Sequence, residues 1–431
     1  MQTREAYLHP RDELLRAMER IYSYRMTTTS GGNLSLRESN GNVWITPARV
    51  DKGGLTRDDI VCVQADGVVC GVRQPSSELP FHLEIYRRRP DLRGIVHAHP
   101  VALVAFSLAH QVPDTRLFHQ AWNVCGRAGF APYELPGSQA LGDSVAGTFE
   151  QGYNCVILEN HGVVCAADSF AHAFRRFETL EFTGKTIIKG RLLGDVRYLN
   201  DEEISWPRRR LNDLESFDHG PASSEERELR RSLAEFIRRA YRQRLFISTQ
   251  GSFSARLDDG SFLVTPYHCD RATLEGHELV LVRDGKAEAG KTPSRAAHSH
   301  HEIYRKYAKI GAVINAYPVN ATAFSVTGAE LDTRTIPESY IVVRHPSLMP
   351  YGPQFDDAAA LSRYVSPEQP AALLQNDGVL VIGGNILEAF DRLEVLESTA
   401  EAIINCKAIG PLEPMDQEKI RELEKAFFGK G

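Results

Sequence analysis

Two stretches of this 431-residue chain align without a gap: PSSELPFHLEIYRRRPDLRGIVHAHPV from Pro75 and PSRAAHSHHEIYRKYAKIGAVINAYPV from Pro293. Glu84 and Glu302 set their separation at 218 positions. The flanking motifs keep the same order, with WITPARVDKGGL before the first stretch and FLVTPYHCDRATL before the second. ILENHGVVCAAD follows one and LLQNDGVLVIGG the other, and TTTSGGNLSLR has its partner in ISTQGSFSAR. A tandem duplication of nearly the whole chain predicts two similar folds. Length agrees, because single hydrophobic cores stop growing beyond about 250–300 residues, and at 42% hydrophobic residues each half can bury its own. The run SWPRRRLNDLESFDHGPASSEE, residues 205–226, is the expected connector between domains at 1–204 and 227–431.

Within the first copy, hydrophobic periodicity predicts helices over 10–26, 77–89, 101–109 and 169–190, and strands near Leu34 and over 43–46, 60–64, 94–98 and 155–159. The second copy opens with a helix over 225–244. Short successive strands mixed with helices predict an α/β fold whose sheet is mixed or antiparallel, with helices on its faces, rather than a doubly wound parallel one. A net charge of −6 without long blocks of like charge gives no footprint for nucleic acid or an anionic membrane. No window approaches the roughly 18 apolar residues of a membrane span, and the start MQTREAYLHPRDELLRAMERIY reads as a charged amphipathic helix, so a cytoplasmic protein is expected. Seven cysteines without a C-x-x-C pair argue against a disulfide framework or a cysteine-built zinc site.

Chemistry concentrates in GIVHAHP. Side chains two apart on a strand share a face, so His97 and His99 project together where Pro100 ends the strand. Two such imidazoles suit one metal ion, and a catalytic zinc site takes a third ligand while leaving a position open. His161 in LENHGVV is the candidate, at the end of another apolar strand with a permissive glycine after it. The competing reading is three satisfied core histidines. In the second copy the matching positions hold Asn315, Tyr317 and Asp377, so the set is lost together while the apolar, Pro and Gly positions around it persist. Glu78, at a helix start, becomes Ala296. Its simple reading is a complement to the helix dipole; its functional reading is a general acid/base beside the metal, with a pKa raised by burial. His82 keeps a partner in His300, which suggests helix packing. HSHH, His298 to His301, reads as an exposed helix face without a metal.

Ser76 and Ser77 at the same helix start, and the turn at Gly31, Gly32 and Asn33, can each hold an anion or serve as ordinary caps and turns. Taken together, S-G-G-N-L-S, I-T-P, P-S-S-E, H-A-H-P and N-H-G in this order resemble the class II aldolase/adducin family. The resemblance covers about residues 10–200 and, in degenerate form, the second half. It implies a three-layer α/β/α sandwich on a mainly antiparallel sheet in each domain. It implies His97, His99 and His161 as ligands of Zn2+ or another divalent ion such as Mn2+ or Co2+, one per chain. Glu78 becomes the acid/base, and Gly32, Asn33, Ser76 and Ser77 the contacts of a substrate phosphate. The implied reaction is a lyase cleavage or formation of a C–C bond in a small ketose phosphate, through an enediolate. Family members are ring-shaped oligomers, which implies a homodimer of two-domain chains imitating a tetramer, or a larger assembly. Arg49 stands where the family has a glycine, a charge that either pairs with phosphate or carboxylate or narrows the pocket. Gln120 replaces a tyrosine that protonates the leaving aldehyde, which keeps epimerase, dehydratase and decarboxylase chemistry open beside an adducin-like scaffold without catalysis.

Overall fold

The computed structural model describes residues 8–209 and 214–429. They form two compact units, one from residues up to Thr115 with Gln120–Lys185, the other from Arg116–His119 with the chain beyond Thr186. In the first unit the strands are β1 (Asn33–Arg37), β2 (Val43–Ile45), β3 (Val61–Val63), β4 (Val69–Cys70), β5 (Gly94–Ala98), β6 (Ala128–Ala131), β7 (Cys155–Leu158) and β8 (Val163–Ala167). Their order is β4-β3-β2-β1-β5-β8-β7-β6. Only β6 and β7 run parallel; every other neighbouring pair is antiparallel.

The helices are α1 (Pro10–Ser23), α2 (Leu79–Arg88), α3 (Val101–Leu108), α4 (His119–Cys125), α5 (Gln139–Glu150) and α6 (Phe170–Leu193). Alternation along the strands divides the apolar residues between two faces. Val96, Ala98, Ile157 and Val163 pack with Leu14 and Met18 of α1 and Phe174 and Phe177 of α6. Ile95, Val156 and Val164 pack with Phe81 and Ile85 of α2 and Leu141 and Val145 of α5. The result is three layers. His97 lies two residues from Ile95, so it faces α2, and this alternation is what brings the strand histidines to the start of that helix.

The second sheet repeats the order with Ser347–Met349, Ala371–Leu374, Gly378–Gly383, Ala312–Ala316, Ser252–Arg256, Phe262–Val264, Val280–Arg283 and Lys286–Glu288. A ninth strand, Ser216–Phe217, pairs parallel with Lys286–Glu288. It comes from the expected connector, whose last residues also enter the helix Ser224–Arg242, capped by the Ser223 side chain; residues 210–213 lie outside the described ones. HSHH is not an exposed face. In the helix Ala297–Lys306 the His300 ring is fully buried, because it points to the sheet, where Ser254 Oγ and Asn315 Oδ1 lie 2.7 and 2.8 Å from its nitrogens. No described helix is long and apolar enough to cross a membrane, and all seven cysteines are unpaired.

Candidate metal centre

Three local features converge on one point. On β5, His97 is fully buried and its Nδ1–H donates to the Val163 carbonyl at 2.9 Å. That bond fixes the tautomer and leaves Nε2 as a free lone pair. His99 follows at the strand end, with its Nε2 at 3.0 Å from His97 Nε2. His161 sits in the turn between β7 and β8, where Asn160 takes a left-handed φ of +51°. The His161 N–H donates to Ser107 Oγ at 2.9 Å, and that hydroxyl donates to the Leu158 carbonyl at 2.7 Å. Two glycines permit the close approach. A Cβ on Gly162 would stand 2.6 Å from His99 Cδ2, and one on Gly32 would stand 2.7 Å from the His97 carbonyl at a φ of +73°.

One nitrogen from each of the three rings lies within 4.8 Å of the others. Ligands of a tetrahedral ion with bonds of 2.0–2.1 Å stand about 3.3 Å apart, so the trio needs little closure to hold one. Two neutral Nε2 lone pairs 3.0 Å apart repel unless a proton or cation lies between them. The donor set therefore fits a divalent cation. Among the described residues, no other group of three or more His, Cys, Asp or Glu has this arrangement.

Burial, then the neighbouring His97, lowers His99 to about 3 and His161 to about 4. Both are neutral near pH 7, the form that binds metal. Burial similarly lowers His82 to about 3. All three folded values lie below the ordinary 6.5, so the unfolded chain binds more protons between them. In chelated protein, stability is expected to be full above pH 6.5 and to fall as pH drops through 6.5 toward 3–4, by up to about 1.4 kcal/mol per pH unit for each site. Thermal melts across that range check this. A flat profile between pH 7 and 4.5 would contradict it.

Glu78 precedes the first turn of α2 and is buried. Its Oε2 lies 3.3 Å from His97 Nε2 and its Oε1 3.5 Å from His161 Nε2. Burial pushes this carboxyl up, as expected from the sequence. Interactions with His97 first, then with His161 and the Asn33 amide, outweigh it and hold the group below its ordinary value. The expected rise is thus reversed, and the carboxylate is the resting form.

Asn33 does not offer its amide to an open pocket. Its Nδ2 donates to Glu78 Oε2 at 2.7 Å, and its Oδ1 meets His82 Nε2 at 2.5 Å. Ser35 Oγ reaches His82 Nδ1 at 2.7 Å and Tyr86 OH at 2.8 Å. A neutral His82 completes the chain: Ser35 donates to it, and it donates to Asn33. His82 is therefore more than helix packing; it orients the residue that orients Glu78. The signal for it was present, since Ser254 and His300 repeat the Ser35–His82 pair. Lys52 escaped the sequence reading too. It is 3% exposed, its Nζ donates to the Pro47 carbonyl at 2.7 Å, and burial lowers it to about 8 against the opposing pull of Glu78. Arg271 braces the Pro266 carbonyl in the second unit at 3.3 Å, which marks the buried cation as a support of this loop.

Ser76 is buried, with Oγ accepting from the Glu78 N–H at 3.3 Å, and Ser77 beside it is exposed. The 46–48 loop lies alongside them through Ser76 N–H to the Thr46 carbonyl and Ala48 N–H to the Gln74 carbonyl. Arg49 follows at an exposed, left-handed position, φ +54°, and makes no contact with the histidines or Glu78 among the described residues. In the second unit the equivalent space holds side chains bonded to one another: Tyr317 OH donates to Asp377 Oδ1 at 2.9 Å and Gln354 Nε2 to Asp377 Oδ2 at 3.3 Å.

The model of the family described as Class II Aldolase and Adducin N-terminal domain matches residues 12–188 and again 231–404. A 5-deoxy-D-ribulose 1-phosphate aldolase of Bacillus thuringiensis is 31% identical over 198 residues, 45% of this chain and 91% of the relative. A 3-oxo-tetronate 4-phosphate decarboxylase of Escherichia coli is 30% identical over 201 residues, 45% of this chain and 93% of the relative. An L-fuculose phosphate aldolase of Methanocaldococcus jannaschii is 30% identical over 179 residues, 40% of this chain and 92% of the relative. With two copies of the family domain in tandem, the chain belongs to the class II aldolase and adducin N-terminal domain family and is an aldolase-type enzyme.

Proposed function

We propose that the first unit is a metal-dependent lyase that cleaves or forms a C–C bond in a small ketose phosphate or related hydroxy-keto substrate. One observation carries this reading. His97, His99, His161 and Glu78 meet at one point in the first unit, and all four are replaced in the second. The ion, Zn2+ or another divalent such as Mn2+ or Co2+ at one per chain, would act as a Lewis acid on the substrate carbonyl. The chain supplies the rest. Glu78, a carboxylate held by Asn33, takes and returns the proton on the carbon beside that carbonyl. In this reading Ser76, Ser77 and the backbone at Gly32 hold the phosphate, and Arg49 pairs with it or narrows its pocket. The second unit contributes no chemistry of this kind, and its filled pocket supports that division. The unpaired cysteines agree with a cytoplasmic enzyme.

Decarboxylation is the alternative, favoured by the Escherichia coli relative and by Gln120 where an aldolase uses tyrosine. Loss of carbon dioxide leaves negative charge on a carbon beside a carbonyl, as C–C cleavage does, so the same residues serve both reactions. Elemental mass spectrometry of the purified chain is expected to find about one divalent ion per chain. A panel of ketose 1-phosphates and 3-oxo sugar-acid phosphates then separates the two reactions. Persistent absence of metal after supplementation, with no turnover, would leave the scaffold reading.

A further inference from the structure

The second unit fastens one edge of its sheet twice. The strand Ser216–Phe217 pairs alongside Lys286–Glu288, where the Ala287 N–H donates to the Glu215 carbonyl at 2.8 Å. In addition, Glu288 Oε2 accepts from Arg230 Nη2 at 2.8 Å and from the Leu281 N–H at 3.2 Å. The twin edge of the first unit, β4, has neither fastening. No described strand lies beyond it, and Val69 is 44% exposed where its twin Ala287 is 3% exposed. Cys70 stands in place of Glu288, and Cys62 in place of Leu281. Arg11 matches Arg230, since each precedes a buried leucine of the opening helix by three residues. Its Nε is buried and has no hydrogen-bond partner among the described residues.

Cys62 and Cys70 are partners in the β3–β4 ladder, so their side chains leave the sheet on one face. The Gln64 N–H donates to the Val68 carbonyl at 2.8 Å, and alternation from that pair makes Cys62 and Cys70 a hydrogen-bonded pair. The Cα atoms of such a pair stand about 5.5 Å apart, a separation common across disulfides. Both thiols are free, and they differ in access. Cys70 is half-buried and accepts from Gln64 Nε2 at 3.2 Å, whereas Cys62 is 6% exposed. Burial, then the neighbouring Cys70, raises the Cys62 thiol above its ordinary value, and the charge of Arg11 opposes them.

We infer that Cys62 and Cys70 are a redox pair that a hydroperoxide closes into a cross-strand disulfide, a conditional fastening for the edge that the second unit holds with a carboxylate and an added strand. Cys70, the more accessible thiol, attacks one peroxide oxygen as its thiolate. The S–O bond forms, the O–O bond breaks, and the departing hydroxide takes up a proton and leaves as water. The Cys62 sulfur then attacks the sulfenic acid on Cys70. The S–S bond forms, the S–O bond breaks, and hydroxide leaves with the Cys62 proton as a second water. Two thiols and one peroxide give one disulfide and two waters, and a dithiol reverses the change. Arg11, whose charge reaches Cys62, favours a sulfur anion on this face. Six residues beyond Cys70 the chain reaches Ser76, so the fastening also restrains the segment that leads into α2. No step involves the metal centre.

The test uses the full chain, metal-loaded and reduced, before and after hydrogen peroxide. Cleavage after Arg57 and Arg73 releases residues 58–73, which contain these two cysteines and no other. After peroxide this peptide is expected to lose two hydrogens and to resist alkylation until a dithiol is added, when it takes up two labels. Amide exchange over residues 68–76 is expected to slow at least about tenfold in the oxidised chain and to recover on reduction. In Cys62→Ser the reaction stops at a sulfenic acid on Cys70, read as its adduct with a cyclic diketone, and Cys70→Ser gives no disulfide in this peptide. Cys70→Glu, which restores the second unit's residue beside Arg11, slows the same amides without oxidant. Two thiols still open to alkylation after peroxide, or a peptide that gains oxygen instead of losing hydrogen, overturns the inference. A disulfide that leaves exchange over 68–76 unchanged overturns the fastening.

Discussion

A His97→Asn protein is expected to fold and to lose at least about 100-fold in metal affinity, since removing even a partner that only orients a ligand costs 10–100-fold. The chain contains its own precedent for folding, because Asn315 occupies this position on the equivalent strand of the second unit. The cost to stability is expected at about 1–3 kcal/mol, from the Val163 carbonyl left without the His97 Nδ1–H. Two measurements read the result without any substrate: competition with a chelator, and the rise in melting temperature on adding metal. At a metal concentration 1,000 times Kd, wild type should gain about 4 kcal/mol. A variant weakened 100-fold should gain only about 1.4 kcal/mol under the same conditions, and less for a larger loss. A well-folded variant that binds metal as tightly as wild type would show that the trio is a core cluster and not a ligand set.

The duplication made most of this site legible from sequence. Apolar periodicity located β5 at its observed ends and the opening helices to within three residues, because those segments are long or strongly alternating. β4, β6, β8, α4 and α5 were not located. β4 is two residues long, AGFA in β6 has little pattern, and Gly142 and Gly147 dilute the helical signal of α5. At the site, the loss of four residues together in the second copy marked the chemistry. The same comparison misdirected the reading of His82: its survival as His300 suggested packing, whereas both rings organise a buried polar chain that the fold needs with or without catalysis. Lys52 was hidden for a related reason. A lysine in a loop reads as solvent-exposed, and only the folded loop shows its ammonium under the Pro47 carbonyl.

Glu78→Gln should lower kcat by about 10²–10⁴, the range for a positioned acid/base, while leaving the metal bound. Glutamine keeps an oxygen to accept from Asn33 Nδ2, so the 2.7 Å bond that positions the side chain survives and only the exchangeable charge is removed. KM should change far less than kcat, since the residues proposed to hold the phosphate are untouched. Asn33→Ala separates charge from placement. It leaves the carboxylate and frees it from the His82 relay, so it should cost less than Glu78→Gln and fall on kcat as well. The ordering follows from the chain of contacts: Glu78 faces both His97 and His161, whereas Asn33 reaches the reacting atoms only through Glu78. If Glu78→Gln kept more than a tenth of wild-type turnover with metal in place, the proton would have to move through another group. Glu78 would then be a counter-charge for the histidines, and its loss alongside them in the second unit would reflect the vanished cation, not a vanished base.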